Sequence, residues 1–269
     1  VTAGLPYRLI ATDLDGTLLT PAETVSDRTR AALATATAAG AVHIVVTGRA
    51  VSWARPVLDE IGYTGIAVCG QGAQVYDAGA HKLLTSMTLD RMLGQLALAK
   101  LEAELGPLAV AAVQDGLDGA ALALGPYRLE TAGDFSLRQV LGRAELFAEP
   151  ISKLFLQHPE LTDDQLTAAA RGIVGDLVGV TLAGPRIVEL LPLGLTKATG
   201  LAVAARRLGL RAADTIAFGD MPNDLPMFHW AAHGVAMANA HQELLAVADE
   251  VTASNAEDGV ATVLERLYG

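Results

Sequence analysis

Short apolar runs alternate with amphipathic stretches along the first third of the chain. Residues 8–12, RLIAT, are apolar and stop at an Asp-rich turn, which predicts a buried strand. Residues 27–39 are Ala-rich and predict a helix, with Gly40 placed to end it. Residues 42–46, VHIVV, are continuous and β-branched, as expected of a parallel strand covered on both faces. A helix through Ile61 and a third strand at 66–69 complete a β-α-β-α-β order, the grammar of a doubly wound α/β sheet.

That grammar returns at the other end. It predicts a helix at 196–208, a strand at 215–218, a short helix with Pro near its start at 222–230, a strand at 234–237 and a last helix at 257–267. In between the pattern changes. A helix at 89–105 precedes strands at 108–113 and 119–124, paired around QDGLDG. A strand at 153–157, a helix at 162–177 with Thr162 as N-cap, and strands at 178–182 and 186–191 around AGP follow. The expected organisation is a Rossmann-like parallel-sheet core made of 1–85 and 190–269, with 86–189 inserted as an α+β module.

Composition adjusts this picture in three ways. Of the 269 residues 51% are hydrophobic but only 4% aromatic, so the core is expected to be built from small aliphatic side chains. The net charge of -11 disfavours nucleic acid and anionic membrane as partners, and it obliges any site for an anion to supply its own positive charge. The single cysteine, Cys69, together with an N-terminus lacking an apolar signal segment and a chain lacking any membrane-length apolar run, predicts a cytoplasmic protein.

Four polar clusters follow strand or module ends, the edge of an open α/β sheet where ligands bind. The first, Asp13-Leu14-Asp15-Gly16-Thr17, places two carboxylates two residues apart. One can attack phosphorus while the other handles a proton. The second, Thr47-Gly48-Arg49, offers a hydroxyl and backbone N–H groups to phosphate oxygens. The third is Lys197, at a helix start where a second positive source makes sense if an anion lies between them. The fourth, Gly219-Asp220-Met221-Pro222-Asn223-Asp224, carries two carboxylates spaced to reach one hard cation together with Asp13; such an oxygen-rich set suits magnesium. Each cluster alone has an ordinary explanation as a turn, a surface lysine or a helix cap. Their joint arrival at one sheet edge does not.

DLDGTLL, VVTGR, GLTK, FGDMPNDLPMF and GVAMANA resemble the haloacid dehalogenase superfamily, and within it the Cof-type phosphatases with a large inserted α/β cap. The resemblance covers about 1–85 and 190–269; in the insert only the order of elements supports it. It implies Asp13 as nucleophile, Asp15 as general acid and base, and Thr47, Lys197 and Asn223 as phosphate binders. It implies Mg2+ held by Asp13, the backbone carbonyl of Asp15 and Asp220, with Asp224 in support. The implied substrate is a small phosphorylated metabolite. The chain departs from the usual Asn-Gly-Ala after the third strand, reading Gln71-Gly72-Ala73; Gln71 either touches substrate or braces the loop.

A phosphomutase or phosphotransferase would use the same residues and is the competing enzyme reading. A non-catalytic phospholigand sensor is disfavoured because Asp13 and Asp15 are both present. An aspartyl-phosphate ion pump is excluded by the lack of membrane spans. In the insert, Arg128, Arg138, Lys153, His158 and Arg186 are candidates for the leaving group. His81, His229 and His233 show no metal-ligand spacing, and the oligomeric state stays open.

Overall fold

The computed structural model describes residues 5–128 and 137–269. β1 (Leu9–Thr12), β2 (Val42–Val46) and β3 (Ile66–Cys69) alternate with α1 (Asp27–Ala38) and α2 (Val51–Glu60). A hairpin of β4 (Gln74–Asp77) and β5 (Lys82–Ser86) comes next. α3 (Arg91–Leu105), β6 (Ala109–Gln114), β7 (Ala121–Leu124), β8 (Leu137–Gln139) and α4 (Arg143–Leu146) follow. Then come β9 (Ile151–Gln157), α5 (Asp163–Val174), β10 (Gly179–Gly184) and β11 (Ile187–Leu191). The chain ends with α6 (Lys197–Arg207), β12 (Thr215–Gly219), α7 (Leu225–Trp230), β13 (His233–Ala236), α8 (Gln242–Leu245), β14 (Glu250–Val251) and α9 (Gly259–Tyr268).

The strands form two sheets. The larger has the order β14-β13-β12-β1-β2-β3-β4-β5 and is parallel from β14 to β3. Its order reverses around β1, as doubly wound sheets do. Alternate residues serve opposite faces. Leu9 and Ala11 pack with Ile44, Val46, Leu201 and Met227, whereas Ile10 packs with Ala32, Phe218 and Val260. Both faces are therefore covered by helices, which is why these strands read as unbroken apolar runs.

The second sheet has the order β10-β11-β9-β6-β7-β8 and is antiparallel except at its β7–β8 edge. Val110, Ala112, Leu154, Leu156, Val188 and Leu190 face α3 and α5. The opposite face carries Ala109, Ala111, Val113, Ala123 and Phe155, and it packs on Ala50 and Trp53 of the first unit, with Trp53 and Phe155 stacked at 5.7 Å.

Several expectations differ in detail. The hairpin β4–β5 adds two antiparallel strands beyond the third strand, where the sequence reading expected none. β5 is only partly buried and carries Lys82, Thr85 and Ser86, so it has no apolar run to announce it. Residues 222–230 form a single 3-10 turn at Pro222–Asp224 and then α7. Arg186 lies in the turn before β11 with φ 60, not in the strand. α5 ends at Val174, and Thr162 caps it with a reciprocal bond to Gln165. His229 lies near the end of α7 and His233 in β13, so the two do not share a helix. No described helix is long and apolar enough to cross a membrane.

Candidate active site

Parallel strands in register bring their C-terminal ends to one edge. Thr12 of β1 pairs with Phe218 of β12, and the Asp13 amide donates to the Phe218 carbonyl at 2.9 Å. The loops carrying Asp13 and Asp220 therefore leave the sheet side by side. Gly16 lets them close up: it has φ 73, and a Cβ there would stand 2.2 Å from Asp220 Oδ2. Thr17 then donates from Oγ1 to Asp220 Oδ1 at 3.0 Å.

Lys197 reaches this edge from the first turn of α6, which Thr196 caps. The helix can approach because Gly200 lacks a side chain; a Cβ there would lie 2.5 Å from the Gly72 Cα and 2.6 Å from Val68. Buried Lys197 Nζ lies 2.8 Å from Asp13 Oδ1 and 2.7 Å from Asp224 Oδ1. The other Asp224 oxygen accepts from the amides of Asp220 and Met221, both at 3.0 Å. Asp224 is thus fully buried yet well bonded.

Carboxylate oxygens of Asp13, Asp220 and Asp224 all lie within 4.8 Å of one another. One ammonium against three buried carboxylates leaves the cluster short of positive charge. The imbalance shows in proton affinity. Burial, then repulsion from Asp224 and Asp15, pushes the Asp13 carboxyl up to about 7 despite Lys197. Asp220 is pushed well above the ordinary carboxylate value by burial and by Asp13 and Asp224. Lys197 is held charged, its pKa raised by Asp13 and Asp224 against the opposing effect of burial. Hard oxygen donors, a charge deficit and this spacing fit a divalent cation.

Asp15 stands apart, its side chain 49% exposed, and Arg49 grips it from Nε at 2.9 Å and from a terminal nitrogen at 2.5 Å. The same guanidinium reaches Glu23 at 3.2 Å. Arg49 therefore orients Asp15 and does not stand free to meet an anion. Thr47 is fully buried at the end of β2, where its hydroxyl accepts from the Arg49 amide at 3.0 Å. Asn223 is buried and donates to Gln71 Oε1 at 3.1 Å.

Two participants escaped the sequence reading. Thr17 lies within the first cluster, where the sequence reading gave it no role of its own. Glu189 is 1% exposed, accepts from Gln71 Nε2 at 2.7 Å and pairs with Lys153 at 2.5 Å. The available signal was a lone acid in the middle of an apolar strand, IVELL. Among the candidates Arg128, Arg138, Lys153, His158 and Arg186, Lys153 reaches the first unit, donating to the Gly48 carbonyl at 2.5 Å. Arg128 and Arg186 lie around Gln157, Arg138 pairs with Glu145, and His158 caps its own loop through the amides of Glu160 and Leu161.

Comparison with known proteins gives a consistent answer. Residues 10–264 match a family described as haloacid dehalogenase-like hydrolase. A 5-amino-6-(5-phospho-D-ribitylamino)uracil phosphatase, YwtE of Bacillus subtilis, is 30% identical, with 97% of this chain and 98% of the relative aligned. An HMP-PP phosphatase of Serratia proteamaculans is 30% identical over 88% of this chain and 86% of its own. A solved haloacid dehalogenase-like hydrolase from B. subtilis superposes with a TM-score of 0.82 at 24% identity, covering 97% of this chain and 99% of its own.

Proposed function

The chain belongs to the haloacid dehalogenase-like hydrolase family, and we propose that it is a magnesium-dependent phosphatase that cleaves a small phosphomonoester through a phospho-aspartate on Asp13. The observation that carries this reading is the buried Asp13 carboxylate, 2.8 Å from Lys197 and within one cluster with Asp220 and Asp224. The phosphatase names of the two relatives support it, and both describe phosphorylated small metabolites as substrates.

Asp13, the Asp15 carbonyl, Asp220 and Asp224 would hold the magnesium, which offsets charge between the phosphoryl group and Asp13. Lys197 adds the second positive charge, so two anions can approach. Thr47, the Gly48 amide and Asn223 orient the phosphoryl oxygens. Asp13 attacks in line, and Asp15 protonates the departing alkoxide. Asp15 then takes a proton from water, which opens the aspartyl phosphate and restores Asp13. Arg49 must release Asp15 for these transfers, because the pair as described satisfies the carboxylate elsewhere. The work asked of the protein is positioning and charge, as in phosphoryl transfer generally.

Residues 86–189 act as a cap that covers the edge and contacts the leaving group. The Cys69 thiol is buried, and burial pushes it up to about 12, so it takes no part in the chemistry proposed.

The test is phosphate release from a panel of phosphorylated metabolites with magnesium, with excess chelator, and with Asp13→Asn. Turnover only in the first arm is expected. Undiminished turnover in chelator sinks the metal assignment, and undiminished turnover in Asp13→Asn sinks the covalent one.

A further inference from the structure

α3 and α5 lie side by side on one face of the second sheet, and they meet water differently. α5 buries Leu166, Ala170 and Val174, and outward it carries Asp164, Gln165 and Arg171. α3 buries Gly94, Ala97, Leu98 and Leu101, yet its outer face is apolar as well. Met92 is 81% exposed and Leu96 46%, and Ala99 and Ala103 are also exposed. These four stand at i, i+4, i+7 and i+11, so they form one stripe along the helix, directed away from the protein. Single exposed leucines are ordinary; a continuous apolar stripe marks a contact surface.

The charges on α3 select what covers that stripe. Arg91 stands in the first turn and Glu102 and Glu104 in the last, each at the end of the helix dipole that disfavours it. Arg91 donates to the carbonyls of Phe147 and Ala148, and Glu102 pairs with Arg143. Glu104 has no ion pair among the described residues. A second helix running antiparallel beside α3 answers all three charges. It brings its positive N-terminal end to Glu102 and Glu104 and its negative C-terminal end to Arg91.

Another α3 is such a helix. A two-fold axis level with the middle of the stripe sets Met92 of one copy opposite Ala103 of the other, and Leu96 opposite Ala99. It also brings Arg91 level with Glu104. Each large side chain then meets a small one, as knobs meet holes, and the alanines allow an approach near the lower end of the usual spacing of about 8–10 Å. Two-fold symmetry repeats every contact, so the stripe is complementary to itself.

We propose that the outer face of α3 is an interface between two copies of this chain, packed antiparallel about a two-fold axis. The 15 residues of α3 span about 22 Å. One helix pair of that length is a small interface, so the dimer forms reversibly with concentration. α3 lies on the face of the second sheet opposite Phe155, Ala50 and Trp53, so dimerisation leaves the acidic cluster uncovered and is independent of the phosphatase reading.

The experiment is sedimentation velocity on the full chain from about 1 to about 200 μM. Wild type should pass from monomer to dimer with a Kd of about 1–100 μM. Leu96→Glu and Ala99→Glu alter only the outer face, so each should weaken association at least about tenfold with circular dichroism unchanged. If one of them does not fold, the other decides. The direction of packing is read by cross-linking under mild oxidation, where buried Cys69 does not compete. A mixture of Met92→Cys and Ala103→Cys should give a disulfide-linked dimer. Met92→Cys alone should not, because the two copies of that position lie about 16 Å apart along the helices, beyond the reach of a disulfide. A monomer at every concentration overturns the proposal, as does a dimer indifferent to both glutamate variants. Self-linkage of Met92→Cys as fast as linkage in the mixture overturns it too, since that requires parallel helices.

Discussion

Two lysines are buried to the same extent on either side of the interface, but they have different company. Lys197 faces Asp13 and Asp224, with Asp220 completing a cluster of three carboxylates. Lys153 faces Glu189 alone, and neutral partners, the Gly48 carbonyl and the Gln71 amide, complete both ions. The first cluster is short of positive charge, so Asp13 and Asp220 hold protons more tightly than carboxylates normally do. The second is balanced. A buried surplus of negative charge awaits a cation and an electrophile; a buried balanced pair fixes geometry. In the function proposed above, the chemistry belongs to the first cluster.

The largest way to test that contrast is Asp13→Asn. Phosphate release should fall by at least about a thousandfold while circular dichroism is unchanged, since the amide neither attacks phosphorus nor holds a cation. Retention of a tenth of the activity, a barrier change of only about 1.4 kcal/mol, would end the covalent mechanism.

The balanced pair should respond in stability. Glu189→Ala strands the Lys153 ammonium in an apolar face and should cost about 3–5 kcal/mol in urea unfolding. The double variant Lys153→Met/Glu189→Leu should recover most of that, because no charge is left unpaired. A single variant as stable as wild type would show that the pair is not dry.

A titratable group outside both clusters provides the control. His43 packs edge-on against Tyr63, bonds Thr12 at 2.8 Å, and is lowered from 6.5 to about 4 by burial. Between those values the unfolded chain binds more protons than the folded one, so stability is full above about pH 6.5 and declines as pH falls toward 4. The difference between wild type and His43→Gln should shrink by about 2 kcal/mol across that window, because His43 is partly accessible to water. A difference that does not vary with pH contradicts the assignment.

The smallest effect has the opposite sign to Glu189→Ala. In chelator, Asp220→Asn should raise stability by about 1 kcal/mol, because it removes one of three mutually repelling carboxylates. Added magnesium should raise the melting temperature of wild type and leave the variant's nearly unchanged. A variant less stable than wild type in chelator would mean that the Thr17 hydrogen bond outweighs the repulsion.

The parallel strands β1, β2 and β3 were legible because burial on both faces demands continuous apolar residues, and no tertiary context was needed to see them. β5 was not, since an edge strand half open to water has no such demand. The first and last polar clusters were legible because each is local: strand, turn and acids lie within a few residues. Lys153 could be named as a candidate but not distinguished from Arg128, Arg138, His158 and Arg186, because only the pairing of the second sheet decides which cation meets Gly48. Gln71 could be marked as a departure, with its two readings left open, because its partners Asn223 and Glu189 lie far from it along the chain.

By itself, then, the sequence determined the strand–helix order and the residue types at each strand end, because periodicity and turn chemistry act over a few residues. Only the tertiary structure decided that Lys197 sits between Asp13 and Asp224, that Arg49 holds Asp15, and that Gln71 joins Asn223 to Glu189. Those contacts depend on strand register and on helix approach across Gly72 and Gly200, which are fixed by packing between distant segments and not by spacing within any one of them.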